Sequence, residues 1–297
     1  MNTKSPRKLV IIGLGLIGGS LAAAIKKHQW PWEIIAVVRR QETADFALTE
    51  KIIDRAVFSL EEIAQQLSAG DMIFIAVPTL SVSATIQQVF NLVDPAVTIT
   101  DAASVKGNVV KAVEKAYGQL PPQFVPGHPI AGSEKSGVSA ANPELYVNHH
   151  VILTPTEHTA ESHLQRVAAL WRSVGADVLR LPVEEHDQIL AATSHLPHAI
   201  AYSLVDTLAN DAKNENIFRY AAGGFRDFTR IAGSDPVMWH DIMCANRDHI
   251  VSAIDLFQEN LSNLRQAIVD KDGPTLLKIF SRAKIARDEF STLLNNR

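Results

Sequence analysis

Over the first 180 or so residues, short apolar runs alternate with stretches of helical spacing, the pattern of a parallel sheet covered by helices. The runs place strands at 8–13, 34–38, 71–78, 96–101, 123–127, 147–154 and 177–181. Those at 9–12 and 72–77 are apolar at every position, as strands buried between two helix layers must be. Between them, Ser59 and Glu62 have the spacing of a capping box. After Pro182 the strand pattern stops, and helical spacing runs to the C-terminus with breaks at Gly223-Gly224, 233–236 and 272–274. Asp235 before Pro236 reads as an N-cap with proline in the first turn. Ile250, Ile254, Phe257, Leu261, Leu264 and Ile268 recur every three or four residues, an apolar seam along one long helix. Such a seam suits a second subunit, and equally its own domain. The expected architecture is α/β: a doubly wound, Rossmann-type domain over 1–182 followed by an all-α domain over 183–297.

Composition narrows the function. Twenty-eight Lys+Arg against 32 Asp+Glu give a net charge of −4, which argues against binding nucleic acid or an anionic membrane surface. The lone Cys244 excludes an internal disulfide framework or a multi-cysteine metal site, and its apolar helical context suggests a core thiol. The expectation is a soluble cytoplasmic protein. Lys4, Arg7 and Lys8 ahead of the uncharged run 9–25 imitate a secretory signal, but the glycines in that run have a better explanation.

A strand leads into Gly13-Leu14-Gly15-Leu16-Ile17-Gly18-Gly19-Ser20 and then a helix. Glycines there permit a tight turn and close approach to a pyrophosphate, while the helix N-terminus offers unpaired N–H groups. Dinucleotide binding follows, with Gly13, Gly15, Leu16, Ile17 and Gly18 as the cradle. Where an NAD-binding protein would carry an acidic residue, the second strand ends in Val38-Arg39-Arg40; arginines there pair with a 2′-phosphate, which favours NADP over NAD.

Four polar groupings supply candidate chemistry. In 100–107, Ser104 reads as the cap of the following helix. In 126–137, His128 before Pro129 is presented by a stiff loop, and an imidazole is a natural general base. Ser194, His195 and His198 form the third; two histidines without a further Glu or Cys define no metal set, so none is expected. Arg226 and Arg230, four apart, form the fourth and could clamp carboxylates. His28, His149, His150, His158, His163, His186, His240 and His249 lack a motif and receive no role.

Taken together, the glycine loop, Asp101-x-x-Ser104-Val105-Lys106, Gly127-His128-Pro129-Ile130-Ala131-Gly132, Ser194-His195-Leu196-Pro197-His198 and Gly224-Phe225-Arg226-Asp227-Phe228-Thr229-Arg230 resemble the prephenate/arogenate dehydrogenase family of tyrosine biosynthesis. The match is ordered and spans nearly the whole chain. The resemblance implies an NAD(P)-dependent oxidative decarboxylation of prephenate or arogenate and a homodimer formed through the helical domain. It implies that His128 is the base for the ring hydroxyl and that Ser104 orients that hydroxyl, His128 and the nicotinamide. Arg230 would bind a substrate carboxylate, with Arg226, His198 and Glu134 lining the same pocket. It also leads us to expect no chorismate mutase segment ahead and no regulatory module behind, so that inhibition by tyrosine would act at the substrate pocket. The rival readings are a β-hydroxyacid or imine-type dehydrogenase, which would lean on a catalytic lysine or aspartate in the helical domain, and a non-catalytic NADP sensor.

Overall fold

A computed structural model describes residues 7–133, 135–211 and 217–295. Its strands are β1 (Arg7–Ile12), β2 (Trp32–Val37), β3 (Arg55–Val57), β4 (Met72–Ile75), β5 (Thr98–Asp101), β6 (Phe124–Val125), β7 (Gly127–Pro129), β8 (His150–Leu153) and β9 (Asp177–Arg180). Interleaved with them are α1 (Leu16–Lys27), α2 (Gln41–Thr49), α3 (Glu61–Ala64), α4 (Thr79–Leu92), α5 (Gly107–Tyr117) and α6 (Glu161–Ser173). There follow α7 (Val183–Leu190), α8 (Leu196–Ala209), α9 (Gly223–Thr229), α10 (Pro236–Ala245), α11 (Arg247–Val269) and α12 (Gly273–Asn295). The signal-like run 9–25 is β1 and most of α1, and Lys4 lies outside the described residues.

β1 to β6 form one parallel sheet in the order β3-β2-β1-β4-β5-β6, the strand order of a dinucleotide-binding sheet. Its apolar runs divide between two cores, as a two-faced sheet requires. Leu9 and Ile11 of β1, with Met72 and Phe74 of β4, pack on one face; Val10, Ile73 and Ile75 pack on the other.

Four expectations change. β3 is not among the expected strands, because it offers only three residues, one of them Arg55. The expected strand 123–127 is two strands: Pro126 has no N–H to extend the ladder, and the chain crosses there into a second sheet. That sheet has the order β7-β8-β9, with β7 antiparallel to β8 and β8 parallel to β9, so the strands expected at 147–154 and 177–181 lie outside the main sheet. At the crossing, a Cβ on Gly127 would stand 3.2 Å from the Asp101 carbonyl oxygen, so only glycine passes easily. The capping box is half made: Glu62 accepts from the Ser59 N–H at 2.9 Å. Asp235 caps α10 as expected, accepting from the N–H groups of Val237 and Met238.

Between α7 and α8 the helix does not stop but widens into a π turn, Ala191–His195. The chain divides into two compact units, one ending at Arg247 and one beginning at Asp248. The second holds most of α11 and all of α12, joined through a turn in which Asp272 accepts from the Thr275 N–H. In its seam, Ile250 is buried, Ile254, Phe257 and Leu264 are half-buried, and Leu261 and Ile268 are exposed. Among the described residues no helix is long and apolar enough to cross a membrane.

Candidate active site

One cavity of about 1240 Å³ opens above the carboxyl ends of β1, β2, β4 and β5, where ligands of such sheets bind. One wall of it is the glycine loop. Gly13 has φ +96°, and a Cβ there would lie 2.6 Å from the Ala76 carbonyl oxygen; on Gly18 it would lie 2.3 Å from the Gly13 carbonyl oxygen. Those two glycines let the loop fold tightly against β4. Gly15 differs: a Cβ on it would meet nothing within 4 Å, and the residue borders the open cavity. Gly15 also stands at the N-terminus of α1, where no side chain caps the first amides. Leu16, Ile17 and the exposed Arg39 and Arg40, which follow β2, line the same cavity. These residues fit a dinucleotide.

Ser104, His128, His198 and Arg230 line the cavity too. Ser104 does not cap α5. Asp187 from α7 takes that place, accepting from the N–H groups of Lys106 at 2.9 Å and Gly107 at 2.7 Å, and Ser104 stays at the cavity wall. Arg226 is exposed, paired with Asp227 at 3.2 Å, and is not among the lining residues; the expected two-arginine clamp thus presents only Arg230 to the cavity. Glu134 lies outside the described residues. Cys244 is exposed rather than a core thiol, because α10 turns Trp239 and Ile242 inward and leaves Cys244 on another face. Among the described residues no group of three or more potential metal ligands gathers.

His128 owes its position to a buried ion pair. Asp101 and Lys106 are both inaccessible, and their side chains are joined. Lys106 Nζ also donates to the Gly127 carbonyl, and Asp101 accepts from the Gly127 N–H at 3.1 Å and the Ala103 N–H at 2.9 Å. The residue before His128 is therefore clamped at both backbone groups. The imidazole itself sits with Nδ1 2.9 Å from Nε2 of the fully buried His186, whose Nδ1 lies 2.7 Å from Asp187 Oδ1. Burial, and then the neighbouring charges of His186, Lys106 and His195, hold the His128 pKa well below its ordinary value, so it is neutral at neutral pH, as a base must be.

Another part of the cavity wall is built by α8 and α10. His198 stacks on Trp239 with ring centroids 3.6 Å apart and planes 20° apart, and its Nδ1 lies 2.9 Å from the Ser194 carbonyl oxygen. Burial lowers the His198 pKa, its bond to Ser194 opposes that, and the Arg230 guanidinium lowers it further. His195, buried, is pushed down to about 4, by burial first. The motifs had not pointed to His186, Asp187, Trp239 or His149, which also lines the cavity; His186 is adjacent to Asp187 but 58 residues from His128, a separation that no local spacing reveals.

Comparison with known proteins places this arrangement. Residues 21–180 match the family profile described as prephenate dehydrogenase, nucleotide-binding domain, and residues 182–282 the profile described as prephenate dehydrogenase, dimerization domain. Cyclohexadienyl dehydrogenase of Zymomonas mobilis is 34% identical over 95% of this chain and 95% of its own. Prephenate dehydrogenase of Bacillus subtilis is 36% identical over 94% of this chain and 75% of its own. Among solved structures, prephenate dehydrogenase from A. aeolicus in complex with hydroxyphenyl propionate and NAD+ superposes with a TM-score of 0.89, at 35% identity over 97% of this chain and 100% of that one.

Proposed function

The chain belongs to the prephenate dehydrogenase family, and from that premise we propose how its residues divide the work of the reaction. The protein is an oxidoreductase of tyrosine biosynthesis that oxidatively decarboxylates prephenate, arogenate or both; a β-hydroxyacid dehydrogenase reading is not favoured. The observation that carries the assignment is the single cavity lined by the glycine loop, Ser104, His128 and Arg230 together.

A nicotinamide dinucleotide, when bound, supplies the hydride acceptor. Gly13, Gly15 and Gly18 and the amides opening α1 would hold its pyrophosphate. Arg39 and Arg40, exposed beside the end of β2, would pair with a 2′-phosphate, which supports NADP as the preferred form. His128 takes the proton of the ring hydroxyl, which Ser104 orients. Arg230 holds a substrate carboxylate by a charge-assisted pair, with His198 beside it. Fixing an anionic ring at both ends supplies the positioning that the reaction needs, and loss of the ring carboxylate as CO2 leaves an aromatic product. The division of labour we infer runs at residue 182, with cofactor binding, Ser104 and His128 before it and the substrate-carboxylate contact of Arg230 and dimerisation after it. The exposed Leu256, Leu261, Ile268, Leu277, Phe280 and Ile285 of α11 and α12 support a homodimer formed through that part. A cytoplasmic location completes the reading.

The test follows reduced cofactor with prephenate and with arogenate, each with NAD and with NADP. We expect turnover on at least one substrate, faster with NADP, and loss of turnover in His128→Asn. No turnover on either substrate refutes the activity. Equal efficiency with NAD refutes the cofactor preference, and full activity of His128→Asn refutes the base.

A further inference from the structure

We propose that Asp187, acting through His186, sets which nitrogen of His128 carries its proton and receives the positive charge of the reaction for as long as His128 holds the substrate proton. The inference rests on the reading of His128 as the base.

The tautomers follow from one end of the chain of contacts. Asp187 accepts from the amides of Lys106 and Gly107, and those bonds, with one from His186, outweigh burial and hold its pKa below the usual carboxylate range. It is ionised and only accepts. His186 Nδ1, 2.7 Å from it, must therefore be the protonated nitrogen, which leaves neutral His186 with a lone pair on Nε2. That lone pair faces His128 Nδ1 at 2.9 Å, so His128 carries its proton on Nδ1. Nε2 of His128 is left bare, the form that a base in the cavity needs. His186 is fully buried and is not among the lining residues; it is a positioning residue, and so is Asp187.

The charge argument points the same way. Burial first, then His186, Lys106 and His195, disfavour an imidazolium at His128, yet the reaction must create one. When the substrate O–H bond breaks and the proton binds Nε2 of His128, the Nδ1 proton can pass to Nε2 of His186. The charge then stands next to the Asp187 carboxylate, the partner that raises the His186 pKa against its burial; Asp101 also raises it and Lys106 lowers it. The transfer reverses as the proton returns to the oxygen of the aromatic product. For prephenate the balance is a substrate dianion and oxidised cofactor giving a product monoanion, CO2 and reduced cofactor, with no proton released.

The first measurement needs no turnover. In the whole protein labelled with 15N in its histidine rings, at neutral pH, we expect both His128 and His186 protonated at Nδ1 and bare at Nε2. A proton on Nε2 of His128 overturns the proposal. The second compares variants. His186→Gln keeps an acceptor for His128 Nδ1 but cannot take a proton, whereas His186→Leu removes both functions. We expect kcat to fall at least 100-fold in His186→Leu and about 10-fold in His186→Gln, with substrate KM within threefold, and cofactor affinity and thermal midpoint near wild type in both. Asp187→Asn can keep its oxygen against the Lys106 N–H and His186 Nδ1 and turn its NH2 to the Gly107 side. It should leave both tautomers in the 15N spectrum in place while lowering kcat at least 10-fold through loss of the charge; wild-type kcat in this variant overturns the charge role. Wild-type kcat in His186→Leu, or equal loss in the Leu and Gln variants, overturns the relay. The two failures separate at His128→Asn: if that variant is inactive while His186→Leu is fully active, the relay alone fails, and if His128→Asn is fully active the base assignment fails first.

Discussion

Gly15 and Gly18 stand three residues apart in the same loop, yet alanine should do opposite things at the two positions. At Gly18 the added methyl would lie 2.3 Å from the Gly13 carbonyl oxygen and 2.9 Å from Ile11 Cγ2, so the contacts must open by about 1 Å. Gly13 cannot yield, being pinned at φ +96° against Ala76. Overpacking of this kind costs about 1–3 kcal/mol, and at about 2–4 °C per kcal/mol for a domain of this size the midpoint should fall by about 2–12 °C. At Gly15 the backbone has φ −95° and ψ −154°, which alanine adopts without strain. The entropy alanine removes from the unfolded chain, worth about 0.4–1 kcal/mol, roughly offsets its poorer capping, so stability should barely change. The methyl instead fills space that a pyrophosphate would take, and cofactor affinity should drop at least tenfold, about 1.4 kcal/mol. Thermal unfolding of the free protein and a calorimetric titration with NADP and NAD read the two effects separately. Wild-type cofactor affinity in Gly15→Ala, or an unshifted midpoint in Gly18→Ala, would refute the reasoning.

Two further outcomes follow from the buried charges. Lys106→Met strands Asp101 in the interior and removes a donor from Gly127; denaturant unfolding should show a loss of about 3–5 kcal/mol, and an unchanged stability would mean that the pair is not the clamp described. His195 is held at about 4 in the folded protein while the unfolded chain takes its proton near pH 6.5, so its contribution is complete above about 6.5 and is lost as pH falls below that. Unfolding free energy should therefore be about 2 kcal/mol lower at pH 5 than at pH 7.5 from this residue alone, with His128 and His186 adding in the same direction; a pH-independent stability over that range would contradict their burial as neutral rings.

What could be read in advance was whatever burial writes locally. β1 and β4 sit between two cores, and a strand apolar on both faces is legible from its own residues. The glycine loop was legible because its spacing directly follows a strand and opens a helix, although the demand at Gly13 comes from Ala76 and at Gly15 no protein atom stands within 4 Å. The second sheet was not: Pro126 and Gly127 decide a change of sheet whose partner strand, β8, begins more than 20 residues later. Ser104 looked like the cap of α5, and only the tertiary fold shows that Asp187 from α7 supplies it. The arginine pair at 226 and 230 had the spacing of one helical face, but α9 ends at Thr229 and Arg230 starts a tighter turn, so the two side chains part.

The π turn at Ala191–His195 has a bearing on how such chains diverge. A π turn accommodates one residue more than an α turn, and each residue advances a helix by about 100°. Deleting any one residue there would leave a continuous, well-bonded helix from Val183 onward. Because the extra residue is taken up within the wide turn, the helices on either side would keep their facing, and the change would fall on the residues of the turn itself, Ser194 and His195 among them. Loss of a single codon would thus spare the fold and displace the cavity-lining side chains that the turn carries, Ser194 and His195, whereas many substitutions at the other positions of the segment would spare both. In lineages that keep the activity, the length of this segment should accordingly be more constant than its residues.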